Sequence, residues 1–203
     1  MLKADGRTPP TAPGAFNKSR ETVKLFRKHI TPEDLGAMIY EALRSSLASG
    51  GSFSVDTLVR RIGKTETDLP EQYVGAIMVG SMFGAVLAVE RSTAKLIGQR
   101  IVEGMQKEFF RHLREQGASA EHIGDWQDIV DEHFQVYRSS LEGYEGLEPP
   151  WKLGRQFLWG ITGVEEFIGT AIKGATLHIL AAQQTAQDLV NRYGPTLLAN
   201  LAG

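Results

Sequence analysis

There is no cysteine among the 203 residues of this chain, so no disulfide can staple it and no thiolate can act as nucleophile or metal ligand. That composition suits a reducing compartment, and a cytoplasmic location is the expectation. An excess of one charge is lacking too. Twenty-two Lys and Arg stand against 24 Asp and Glu, a formal net charge of −2, so overall charge points to no polyanionic partner. The opening stretch, MLKADGRTPPTAPGAF, has no apolar run of the kind a secretory signal carries. It reads as a disordered tail over residues 1–16.

Other absences narrow the chemistry. No segment alternates apolar and polar side chains as a half-buried strand does. No Gly-rich phosphate loop follows a strand, and no G-x-S-x-G elbow occurs. The Glu-x-x-His pairs of helical di-iron bundles are missing, although Glu108 and His112 lie one turn apart. No catalytic set and no metal site is therefore expected, and a non-enzyme is favoured. The cofactor is left open.

What the chain does carry is helical periodicity almost everywhere after the tail. Residues 17–203 are expected to form one all-α domain, a bundle of about five to seven helices with two long ones. Thr31, Pro32 and Asp34 make a helix start: a capping hydroxyl, a proline at the first helical position and a reciprocal acid. Leu35, Met38, Ile39, Ala42, Leu43 and Leu47 form the stripe that follows. A short helix after Ser54 ends at Gly63. Asp68 and Glu71, with Pro70 between them, predict the next start. From there the pattern runs unbroken by proline over 69–116, with a break expected near Glu90-Arg-Ser-Thr93. Ser119 opens another helix. The last stripe covers 151–193, with bends expected at Gly160 and Gly163 and an end at Tyr193-Gly-Pro195.

Residues 72–89, QYVGAIMVGSMFGAVLAV, hold no charge. Eighteen helical residues span about 27 Å, only just the thickness of a bilayer's hydrocarbon, and half of them are small or polar. A buried helix is expected in place of a membrane span. Ala76, Gly80, Gly84 and Ala88 recur every fourth residue and so share one ridge, where another helix can approach closely. That ridge is the expected helix interface, and with it a homodimer.

Charge is distributed unevenly. Residues 1–64 hold eleven Lys and Arg against six acids; residues 65–203 hold eleven against eighteen. Glu121, Asp125, Asp128 and Glu132 line one helix face, and Arg20, Lys24 and Arg27 repeat their four-then-three spacing on the segment 17–29. An electrostatic dock of the basic segment on the acidic face is expected. His178 lies on an apolar face among alanines, and a neutral, hydrogen-bonded core histidine is the simpler reading of it. Trp159, Phe167 and His178, with Glu165 and Glu166 beside them, could line a pocket for an apolar small molecule or haem. Residues 34–63 have the length of a helix-turn-helix, but Asp56 opens the second helix where bases and phosphates would be met. Nucleic acid and membrane are not the expected partners.

These features favour a helical binding or regulatory protein that works through helix faces, with a protein partner or a second copy. The alternative is a small-molecule sensor bundle, joined to transcription if residues 34–63 act as a helix-turn-helix.

Overall fold

The computed structural model describes residues 30–50, 53–142, 149–164 and 169–201. Among these are seven α-helices and no strand: α1 (Pro32–Ala48), α2 (Val55–Arg61), α3 (Tyr73–Ser92), α4 (Lys95–Glu115), α5 (Ala120–Leu141), α6 (Pro149–Thr162) and α7 (Gly169–Leu201). The all-α bundle expected from periodicity is thus the fold.

Local chemistry accounts for most helix ends. The Thr31 hydroxyl accepts from the Asp34 amide at 3.1 Å, and the Asp34 carboxylate accepts from the Thr31 amide at 3.0 Å. Ser54 caps α2 and Ser119 caps α5 in the same way. The break between α3 and α4 falls at Thr93–Ala94, both extended, and the chain reverses there. α6 ends where Gly163 takes a φ of +70°, a left-handed position that suits a residue without Cβ.

Two boundaries differ from expectation. Asp68 does not start α3; it closes a capping box with Thr65 around a single 3-10 turn, Glu66–Asp68. Pro70 holds Leu69 extended, so no helix can run through it, and α3 begins at Tyr73. At the other end, α7 continues through Pro195 to Leu201. Beyond the proline Leu197 is 2% exposed, so apolar burial offsets the lost hydrogen bond.

α3 is the central helix. Its residues from Ala76 to Val89 are buried with one exception, Leu87. It is the one described helix long and apolar enough to cross a membrane, yet 72% of that apolar window is buried inside the bundle. Three neighbouring helices reach it at glycines. A Cβ on Gly75 would lie 2.0 Å from the Trp126 ring of α5; one on Gly80, 2.2 Å from the Phe157 ring of α6; one on Gly84, 3.0 Å from the Ile179 carbonyl of α7. Gly80 and Gly84 of the small-residue ridge thus seat helices of the same chain, and Ala76 and Ala88 are buried beside them. The expectation that this ridge faces a second copy is corrected: the bundle's own apolar surface covers it first.

The closest backbone contact lies elsewhere, between α1 and α4. A Cβ on Gly36 would sit 2.0 Å from the Ile101 carbonyl oxygen, and one on Gly104 2.3 Å from the Glu33 carbonyl oxygen. The two helices run in the same direction. Glu33 pairs with Arg100 at 2.7 Å near their starts, and the Tyr40 ring meets those of Phe109 and His112 further on.

His178 fills its expected place in the core at 1% exposure. Ser81 donates its one hydroxyl proton to the Ile77 carbonyl at 2.7 Å, so the 3.1 Å contact from Ser81 to His178 Nε2 has the ring as donor. Burial, and secondarily the charge of Arg61, push the imidazole down to about 3.

Two predictions follow from this packing. Gly36→Ala must move backbone against backbone and should destabilise the fold by about 3 kcal/mol or more. Gly124→Ala, on α5 with nothing within 4 Å of the added Cβ, should instead stabilise by up to about 1 kcal/mol; denaturant unfolding of both variants distinguishes them. For His178, the unfolded ring binds its proton near about 6.5, so the unfolded state carries more protons below that value. The contribution of the neutral ring is complete above about pH 6.5 and is lost as pH falls toward 3. Stability measured between pH 6.5 and 5 should therefore drop by up to about 1.4 kcal/mol per unit. His178→Phe should flatten that slope, leaving the smaller share of His133, which burial also pushes down.

Candidate functional site

Among the described residues, Trp159 and His178, expected around one pocket, do not face a common space. Phe157 stacks on His178 at 5.6 Å between centroids and Phe53 stacks on the same ring at 4.2 Å, so aromatic side chains occupy the space around that ring. Trp159 lies instead beside His133 on α5, at 6.3 Å. Two helical steps turn the side chain by about 200°, which is why Phe157 and Trp159 serve different neighbours. Phe167, Glu165 and Glu166 lie outside the described residues.

The dock is only half in view. Glu121, Asp125, Asp128 and Glu132 are all exposed along α5, and Arg20, Lys24 and Arg27 lie outside the described residues. The helix-turn-helix outline at 34–63 is corrected by packing: α2 leans on α7, where Arg61 lies against Gly174. Such a motif needs its two helices packed on each other, and α1 lies against α4.

A different concavity is present. Between the second half of α1, the start of α3, the end of α4 and the start of α5 runs a groove of about 580 Å³, within the range of small-molecule sites. Its walls are mostly apolar: Leu47, Val55, Val74, Met78 and Leu113, with the rings of Phe109 and Trp126. Val74 is 48% exposed on the rim. A second concavity, of about 550 Å³ at the α3–α4 corner, is lined mainly by polar and charged groups, including the Glu90–Arg138 pair at 2.6 Å. A third, of about 240 Å³, lies between that corner and the end of α7.

The groove is built on a fixed aromatic wall. The Trp126 indole N–H donates to His122 Nε2 at 3.1 Å, while the far edge of the ring lies in the notch left by Gly75. Held at both ends, the indole packs edge-on to Phe109 at 5.8 Å, and Phe109 in turn meets Tyr40 at 6.2 Å. Polar groups sit on several sides: Glu71 and Gln72 before α3, His122 on α5, and Tyr40, Arg44, His112 and Gln116 along α1 and α4. Tyr40 is 1% exposed, and its hydroxyl has no hydrogen-bond partner among the described residues; burial pushes the phenol above its ordinary value. One turn on, Arg44 donates through Nε at 3.0 Å and Nη2 at 2.6 Å to the same Glu41 oxygen. His112 faces Tyr40 at 6.3 Å between rings.

Sequence reasoning missed this site. Tyr40, Arg44, Phe109, His112 and Trp126 come from three helices; Phe109 and Trp126 read as apolar-stripe residues and His112 as one turn from Glu108, and none of these signals points to a groove. No family model, no curated protein and no solved structure matches this chain.

Proposed function

We propose that this chain is a binding protein for a small, largely apolar molecule, held in the groove between α1, α3, α4 and α5. The observation that carries the reading is a ligand-sized concavity with a mostly apolar lining and an aromatic wall held by the Trp126–His122 hydrogen bond. Sites of that composition bury an apolar body and use a few polar groups to orient it. The sensor expected from sequence is thereby moved from the Trp159–His178 neighbourhood to this groove, with no haem ligand required. Binding would bridge four helices, and such a ligand stabilises the folded state by mass action.

A second reading, a regulator that acts through a helix face or as a homodimer, draws on Leu177 and Leu180. These lie one turn apart on the outer side of α7 and are 45% and 40% exposed. Light scattering that gives a monomer mass would remove the homodimer from that reading.

The groove is tested with N-phenyl-1-naphthylamine, an uncharged dye that brightens in apolar surroundings. The wild-type protein should bind it in the micromolar range. Val74→Trp, which adds bulk on the exposed rim, should weaken binding about tenfold or more, while unfolding stability stays within about 0.5 kcal/mol as expected for a surface change. Dye binding that is absent, or indifferent to this substitution, would remove the groove as the site.

A further inference from the structure

The α1–α4 side of the groove points to the ligand's chemistry. Three side chains, Tyr40 and Arg44 of α1 and His112 of α4, line it within about one helical turn of each other. An arginine has five N–H donors. Glu41 takes one from Nε and one from Nη2, both on a single carboxylate oxygen. The other three have no partner among the described residues. The Tyr40 hydroxyl is unpartnered as well, although the residue is 1% exposed. The His112 imidazole likewise makes no hydrogen bond among the described residues.

Carboxylates are near enough to be weighed. Glu108, one turn before His112, is held by Arg111 through a two-point contact that pulls its carboxyl below the usual range. Glu115 is also bonded to Arg111. Glu41 is committed to Arg44, and Glu71 lines the groove from the loop before α3. Glu41, Glu108 and Glu115 are thus engaged by arginines, while Glu71 has no ion-pair partner among the described residues. The remaining donors of Arg44, Tyr40 and His112 have no partner among the described residues and line the groove, where a ligand can meet them.

Resting on the groove reading above, we infer that the ligand is an amphipathic monoanion, an apolar ring or chain ending in one carboxylate-like head. Its body lies against Trp126, Phe109 and Met78, and its head meets the Arg44 guanidinium and the Tyr40 hydroxyl. Arginine suits such a head because its planar fork matches two oxygens at once. The pairing lies at the edge of a low-dielectric groove, where a charge-assisted hydrogen bond is stronger than in water.

The experiment compares two dyes of nearly the same shape, N-phenyl-1-naphthylamine and 1-anilinonaphthalene-8-sulfonate, which adds one anionic group. Fluorescence titration of the wild-type protein should show the anionic dye bound about tenfold more tightly, as one or two charge-assisted hydrogen bonds would give. Glu41→Gln should tighten the anionic dye and leave the neutral one unchanged, since it frees the donors that Glu41 holds. The double variant Glu41→Gln/Arg44→Gln, with no carboxylate left unpaired, should reduce the preference to within about threefold. Equal affinities in the wild type, or a preference that survives the double variant, overturn the anionic head while the groove stands. Failure of the neutral dye to bind removes the groove itself, and with it this assignment.

Discussion

Backbone contact between α1 and α4 is the constraint on which the rest of the structure depends. With hydrogen at Gly36 and Gly104, each helix meets a carbonyl of the other directly. Any side chain there would hold the axes apart. One turn past this crossing come Tyr40 and Phe109, then Arg44 and His112. The spacing of the two helices therefore sets how far apart the aromatic rings and the polar donors of the groove stand. Glycine costs about 1 kcal/mol in a helix relative to alanine, and the dense packing it permits at this crossing offsets that loss.

α3 uses the same principle in another way. Its glycines do not meet one long partner but receive three separate insertions, from an indole, a phenyl ring and a backbone turn. A helix with large side chains all round could not be approached by α5, α6 and α7 at once. The result is a central rod that orders the other helices, and it couples the groove to the core: Gly75 seats the very ring that forms the groove wall. Exposed ion pairs such as Arg100 with Glu33 and Arg138 with Glu90 join helices at the surface, where solvent screening leaves each of them weak. Burial and close packing do most of the holding.

The elements were legible where signals are local. A Thr–Pro–x–Asp run at residues 31–34 can be read because cap and acid are three residues apart and bond to each other's backbone. The break before α4 is likewise short-range, whereas at Gly163, where only a bend was expected, α6 has ended. The failures at Asp68 and Pro195 are informative. In the first a proline two residues later overrode the acid's spacing, and in the second burial of Leu197 overrode the proline. The groove was illegible because its residues come from α1, α3, α4 and α5, and periodicity reports which face is apolar without naming what covers it.

The sequence alone determined the class of the fold, the positions of most helices and the uncharged character of the central one, since all of these depend on neighbours along the chain. Only the tertiary structure decided which small residues meet backbone, that the four-residue ridge on α3 turns inward, and that Phe157 and Trp159 part company. It also decided that Tyr40, Arg44, His112 and Trp126 line one groove. Those outcomes rest on helix-to-helix distances of a few ångströms, and such distances are set by packing between segments far apart in the chain.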